Sequence, residues 1–206
     1  MSSAPQSSKA ASASGPTVPA GRVPTSRYAL FLAISLLGCG ADLLTKHWVF
    51  QWRGMPHASE PWWLWEGHIG IETALNTGAL FGLGQDRVGL FAALSLAAAA
   101  GIVVWLFVGC AAHDLHLTVA LACVTGGILG NLYDRLGFWS SQMGLARRVH
   151  AVRDWILLQY GDYTWPNFNI ADSLLVCGAV LLMWHAARQP AADRQSAPVD
   201  VGSPGS

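Results

Sequence analysis

The stretch from Val88 to Ala112 contains no charged residue. A helix needs about 20 apolar residues to cross hydrocarbon, and a helix packed on a soluble core keeps a polar face. This segment therefore places the chain in a bilayer. Three further apolar segments accompany it, Tyr28 to Phe50, Leu115 to Tyr133 and Asn169 to Ala187, the last of them short for a span. The composition agrees: of 206 residues, 52% are hydrophobic and 12% charged, against about 25% charged in an ordinary soluble domain. The formal net charge is zero, so there is no basic field for nucleic acid and none is expected as a partner. The expected fold class is an all-α membrane protein with four transmembrane helices.

The segments divide the chain into a leader (1–27) and a tail (188–206), both rich in Ser, Ala and Pro, around a four-helix domain over 28–187. The leader does not read as a cleavable signal peptide, because the apolar stretch after it is too long and no clean cleavage site closes it. Four spans put both termini on one side. Two longer connections, about 51–87 and 136–168, share the other. Trp48, Trp52, Trp62, Trp63, Trp65, Trp139, Trp155 and Trp165 lie in or beside those connections, which predicts an aromatic belt at one interface. Ile69, Ile71 and Thr73 alternate within Gly67–Leu75 and predict a short strand there. The cations are divided unevenly between the two sides. Lys9, Arg22, Arg27, Arg188 and Arg194 are on the terminal side; Lys46, Arg53, Arg87, Arg135, Arg147, Arg148 and Arg153 are on the side of the long connections. Taken at face value, this puts the long connections in the cytoplasm.

Cys39, Cys110, Cys123 and Cys177 each lie in an apolar run without a Cys-x-x-Cys pair, so they read as small buried hydrophobes. His113 and His116 are too few and too isolated to suggest a metal site. No metal or other cofactor is expected.

Ionisable groups at membrane depth are costly and mark function. Asp42 and Lys46 share a helix face at i,i+4, either as a self-neutralising pair at the membrane edge or as part of a site. Asn76 and Gly78 follow the predicted strand, where small residues permit a tight turn. Gly126 and Gly130 give the third span a small-residue packing face, with Asn131 and Asp134 at its end. Arg135, next to Asp134, is expected to snorkel to the interface. Asp154 reads by itself as a solvated loop carboxylate. Asn169 is placed to cap the fourth helix, with Asp172 in its first turn. Asp134, Asp154 and Asp172 all belong to the face with the Trp belt. Two carboxylates held close in a partly dry site share a proton; the ionised one activates water while the other donates to the developing oxyanion. There is neither an HExxH zinc helix nor a GxSxG serine elbow to support another protease chemistry. The competing reading is a small proton-coupled transporter using Asp42, Asp134 and Asp172 as a relay, which requires charges spread through membrane depth. A third is a non-catalytic assembly factor held by its glycine face.

Five patterns in order resemble the bacterial lipoprotein signal peptidases (signal peptidase II). They are Asp42-x-x-x-Lys46; Asn76-x-Gly78-Ala79-x-Phe81-Gly82; Gly126-Gly127-x-x-Gly130-Asn131-x-x-Asp134-Arg135; Val152-x-Asp154; and Phe168-Asn169-x-Ala171-Asp172. The resemblance implies a multi-pass enzyme of the inner membrane with both termini cytoplasmic, against the face-value cation count, and a small periplasmic sheet cradling the substrate. It implies cleavage of prolipoproteins on the N-terminal side of a diacylglyceryl-modified cysteine. The layout lets the surrounding membrane lipid deliver the substrate laterally, and a monomer is expected. The resemblance also implies Asp154 and Asp172 as the catalytic pair, supported by Asp42, Lys46, Asn76, Gly78, Asn131, Asp134, Arg135 and Asn169. The chain departs from the pattern in a longer stretch between Arg135 and Asp154, and in Arg153, where an apolar residue is more typical. In an extended segment Arg153 points away from Asp154, towards lipid headgroups. A cation against Asp154 would instead depress its pKa and leave Asp134 as the partner of Asp172.

Overall fold

The computed structural model describes residues 21–78 and 87–188. The elements run α1 (Thr25–Arg53), β1 (Trp62–Trp65), β2 (Ile69–Asn76), α2 (Val88–Val103), α3 (Leu115–Arg135), the short α4 (Trp139–Gln142), β3 (Val152–Tyr160), β4 (Tyr163–Phe168) and α5 (Ile170–Arg188). Among the described residues, four helices are long and apolar enough to span a bilayer: α1, α2 with its extension to Val108, α3 and α5. The extension, Val104–Val108, is a π-helical turn closed by Gly109 N–H donating to Val104 O at 2.9 Å. Thr25–Arg27 form the first turn of α1, and Val23 before it is buried.

The central span is α3: 56% of its apolar window is buried, against 11–17% in the other three. Glycines permit this. A Cβ on Gly126 would meet Ser35 O of α1 at 3.1 Å, one on Gly127 would press on Ala171 O of α5, and one on Gly130 would overlap the Asp42 carboxylate. The predicted small-residue face is therefore two-sided, with Gly126 and Gly130 towards α1 and Gly127 towards α5. Away from the sheet, Val23, Phe31, Leu106, Ala112, Leu121 and Ala122 form the apolar core.

The two long connections meet as one antiparallel sheet, in the order β1-β2-β3-β4. The predicted strand at 67–75 is β2. The stretch around Asp154 is also a strand, paired to β2 with Ala74 opposite Asp154 and Leu75 opposite Arg153. Pro166, which has no N–H to give a ladder, sits in the edge strand β4. By connectivity the sheet lies where α1 and α3 end and α2 and α5 begin. Trp48, Trp52, Trp62, Trp65 and Trp165 are exposed around that end, as a belt requires. Trp139 is not in the belt: it is fully buried, and its indole N–H donates to Ala151 O at 3.2 Å. The cysteines are free but less buried than expected; Cys39, Cys110 and Cys123 are half-buried, and Cys177 is exposed on a span.

Candidate active site

The beginning of α5 organises the site. Asn169 precedes the helix, and its Oδ1 accepts from Asp172 N–H at 2.9 Å, while Asp172 Oδ2 accepts from Asn169 N–H at 3.2 Å. This is a reciprocal capping box with Asp in the third helical position. The same Asn169 is fully buried, and its Nδ2 donates to Asp154 Oδ1 at 2.6 Å. One asparagine thus ties the carboxylate of strand β3 to that of helix α5, and capping does not compete with a site role here. Asn131 of α3 donates to Asp172 Oδ1 at 2.8 Å, and its Oδ1 receives Lys46 Nζ at 2.9 Å and Asn169 Nδ2 at 3.1 Å. Asn76, diagonal to Asp154 across β2 and β3, donates its side chain to Asp154.

Asp154 is 2% exposed. Burial pushes its carboxyl up to about 7, with the charge of Asp172 adding to the rise; Lys46, Asn169 and Asn76 oppose it. Asp172 is half-buried and borders a cavity of about 230 Å³ together with Asn76, Asn131, Arg135, Phe168 and residues 165–167 of β4. That cavity lies between α2, α3, α5 and the sheet. Arg135 does not snorkel. It lines the cavity, its guanidinium over the Phe91 ring at 5.7 Å and its Nη2 donating to Gly78 O at 3.4 Å. Gly78 in turn donates its N–H to Asn76 Oδ1 at 2.9 Å. Ala79, Phe81 and Gly82 of the second pattern lie outside the described residues.

A second layer of charge sits behind the carboxylate pair. Lys46 Nζ is 2.7 Å from Asp42 Oδ2 and 3.4 Å from Asp134 Oδ2, with all three side chains fully buried. Asp42 Oδ1 also accepts from Ala171 N–H at 2.9 Å, so the pair is an internal brace between α1 and the first turn of α5 rather than a solvated pair at the membrane edge. Asp134 accepts from Arg153 Nη2 at 2.8 Å and from Arg153 N–H at 2.9 Å. Arg153 faces away from Asp154, as strand alternation requires, but it faces inward and not to headgroups: it is 1% exposed, with its guanidinium 5.0 Å from the Trp139 ring and 5.9 Å from that of Phe50. The aromatic platform of Phe50 and Trp139 was not legible as part of the site. The available signal was a lone Arg between two inward positions of a strand.

On the opposite end of the bundle, the fold brings His116 towards Asp114 and His185, contrary to the isolation its sequence position suggests. Asp114 caps α3 through Leu117 N–H at 3.0 Å, and His185 Nε2 lies 3.1 Å from its other oxygen. This arrangement ties the start of α3 to the end of α5.

The described residues thus form four membrane-spanning helices that gather buried carboxylates under a small sheet, beside a cavity lined by α2, α3, α5 and the sheet. The comparisons with known proteins agree. The family model for signal peptidase (SPase) II matches residues 34–188. The lipoprotein signal peptidase of Rhodopirellula baltica is 53% identical over 161 residues, which is 78% of this chain and 72% of that protein. That of Symbiobacterium thermophilum is 31% identical over 76% of this chain and 93% of its own length. A solved bacterial membrane enzyme shares the fold, with a TM-score of 0.63 at 20% identity, covering 86% of this chain and 94% of that one. The chain belongs to the signal peptidase II family. It is a membrane-embedded peptidase.

Proposed function

We propose that the chain removes signal peptides as an aspartic endopeptidase, with Asp154 and Asp172 as the catalytic pair. The observation that carries this is the shared asparagine: Asn169 holds Asp154 through its side chain and Asp172 through the capping box. The raised pKa of Asp154 is what a carboxyl needs in order to hold a proton near neutral pH. Asp172 accepts from Asn131 and from the backbone N–H of the cap residue Asn169, and it lies in the first turn of α5, which suits the charged member of the pair. Asp172 then takes a proton from water as the water oxygen attacks the scissile carbonyl, and neutral Asp154 gives its proton to the carbonyl oxygen. Collapse of the tetrahedral intermediate breaks the C–N bond, with proton return to the leaving amine. No covalent enzyme intermediate and no cofactor enters.

Asp134 is unsuited as partner of Asp172, because both its oxygens are engaged by Arg153 and one also faces Lys46. The transporter reading calls for acids spread through depth. Asp42, Asp134, Asp154 and Asp172 instead join one hydrogen-bonded and ion-paired cluster at one end of the bundle.

The cut falls N-terminal to a diacylglyceryl-modified cysteine. The acyl chains stay in lipid, so the peptide reaches a site at the depth where α5 begins. The active site faces the periplasm and the termini the cytoplasm, in the inner membrane. The cation count supports this once Lys46, Arg135 and Arg153 are recognised as internal: Arg53, Arg87, Arg147 and Arg148 then stand against five on the terminal side. The enzyme works as a monomer.

The test is processing of a diacylglyceryl prolipoprotein in detergent micelles. Asp154→Asn and Asp172→Asn are each expected to abolish cleavage. Normal cleavage by either rules the pair out, and loss with Asp134→Asn but not with Asp154→Asn moves the partnership to Asp134.

A further inference from the structure

We propose that Arg153 is a positioning residue for this reaction: its two-pronged hold on Asp134, under the cover of Trp139, fixes strand β3 so that Asp154 meets Asn169, and its charge frees Lys46 to hold Asn131. The inference rests on the assignment of Asp154 and Asp172 as the catalytic pair and concerns the residue that aims one of them.

The geometry is one of neighbours on a pleat. Arg153 and Asp154 point to opposite faces of β3. Whatever clamps the first fixes the height and rotation of the second. Arg153 is clamped at two levels, by its backbone N–H to Asp134 Oδ2 at 2.9 Å and by its guanidinium to Asp134 Oδ1 at 2.8 Å. Asp134 is on α3, the central span, one turn from Asn131, which holds Asp172. The two faces of β3 are therefore referenced to the same helix turn: Arg153 through Asp134, and Asp154 through Asn169 and Asn131.

Charge makes the same point. Asp42 and Asp134 are both fully buried and both approach Lys46. One cation cannot satisfy two buried carboxylates, and an uncompensated buried charge is strongly unfavourable. Arg153 supplies the second cation, and the set Asp42, Asp134, Lys46 and Arg153 is neutral. Lys46 is then available to donate to Asn131 Oδ1 at 2.9 Å. That contact leaves the amide nitrogen of Asn131 as the group facing Asp172.

The segment between α3 and β3 is shaped to the same end. It turns at Gly137 (φ 72°), forms α4, and is stapled to itself by Val149 N–H donating to Ser140 Oγ at 2.8 Å. Its fully buried Trp139 lies against the Arg153 guanidinium and bonds Ala151 O, two residues before Arg153. The strap excludes water from the Arg153–Asp134 pair, where a fork-shaped guanidinium is favoured over an ammonium.

The experiment measures kcat and KM for a diacylglyceryl prolipoprotein in micelles, with the thermal midpoint of each variant recorded. Arg153→Met is expected to lower kcat about 100-fold, the scale of a misplacement of ~1 Å, while KM stays near that of the parent. Arg153→Lys, which keeps the charge without the fork, should fall between the two. The double variant Arg153→Met with Asp134→Asn should recover kcat to within about tenfold of the parent, because the amide oxygen keeps the backbone bond and no buried charge is left unpaired. Parent kcat in folded Arg153→Met, or a double variant no better than the single one, overturns the inference. If Arg153→Met does not fold, parent kcat in Arg153→Lys, or an inactive double variant that folds, overturns it. An active Asp154→Asn sinks the catalytic pair itself. An inactive Asp154→Asn beside a fully active Arg153→Met sinks only the role given to Arg153.

Discussion

Replacing Asp154 by Asn should make the protein more stable in alkaline solution while leaving it inactive. The carboxyl moves from an ordinary 3.8 to about 7 on folding, which corresponds to about 4 kcal/mol at 1.36 kcal/mol per pH unit. The sign follows from proton binding. The folded state binds this proton more tightly than the unfolded chain, so stability falls as pH rises from about 4 to about 7 and stays low above it. Below pH 4 both states are protonated and the cost is absent. Asn carries no charge at any pH and retains one oxygen to accept from Asn169. The variant should therefore match the parent near pH 4 and exceed it by up to about 4 kcal/mol at pH 8. For a domain of this size that is of the order of 10 °C in Tm. Thermal unfolding of parent and variant in the same detergent, from pH 4 to pH 8, reads the difference. Parallel curves would refute the reasoning, because they would mean that Asp154 is not held neutral by burial beside Asp172.

Two further perturbations test the frame around the pair. Asn169→Ala removes the cap of α5 and the donor to Asp154 together; a stability loss of about 1–3 kcal/mol, with kcat reduced at least about 100-fold, is expected from chemical denaturation and the processing assay. Gly130→Ala pushes a Cβ into the Asp42 carboxylate and towards Ala171 Cβ at 3.3 Å, so it should cost about 1–3 kcal/mol and loosen the α1–α5 brace, read as a lower Tm and slower processing.

The four spans were legible because lipid imposes one rule on every residue that faces it, and a charge-free run such as Val88–Ala112 has few alternatives. The cap of α5 was legible because Asn169 and Asp172 act within one turn. What the sequence left open depends on partners distant along the chain. The stretch Val152–Tyr160 has no clean alternation, since Val152, Arg153 and Asp154 are all buried where β3 packs on α1 and α3. It therefore reads as a loop until β2 is set beside it. Arg153 finds its partner nineteen positions earlier in Asp134, and no periodicity announces such a pair. Trp139 carries the composition of an interface belt but serves as the lid of a buried guanidinium. Arg135 has the position of a snorkelling residue but lines the cavity, because Gly78 and Phe91 offer it contacts there.

The central claim is that one proton is shared between Asp154 of β3 and Asp172 at the start of α5. Infrared titration of the purified enzyme in micelles reads it directly, because a neutral carboxylic acid has a carbonyl stretch that a carboxylate lacks. The expected result is such a band persisting at pH 6, absent from Asp154→Asn, and titrating at lower pH in Asp172→Asn, where the neighbouring charge is gone. A band unchanged by Asp154→Asn, or no neutral carboxyl at pH 6 in the parent, would contradict it.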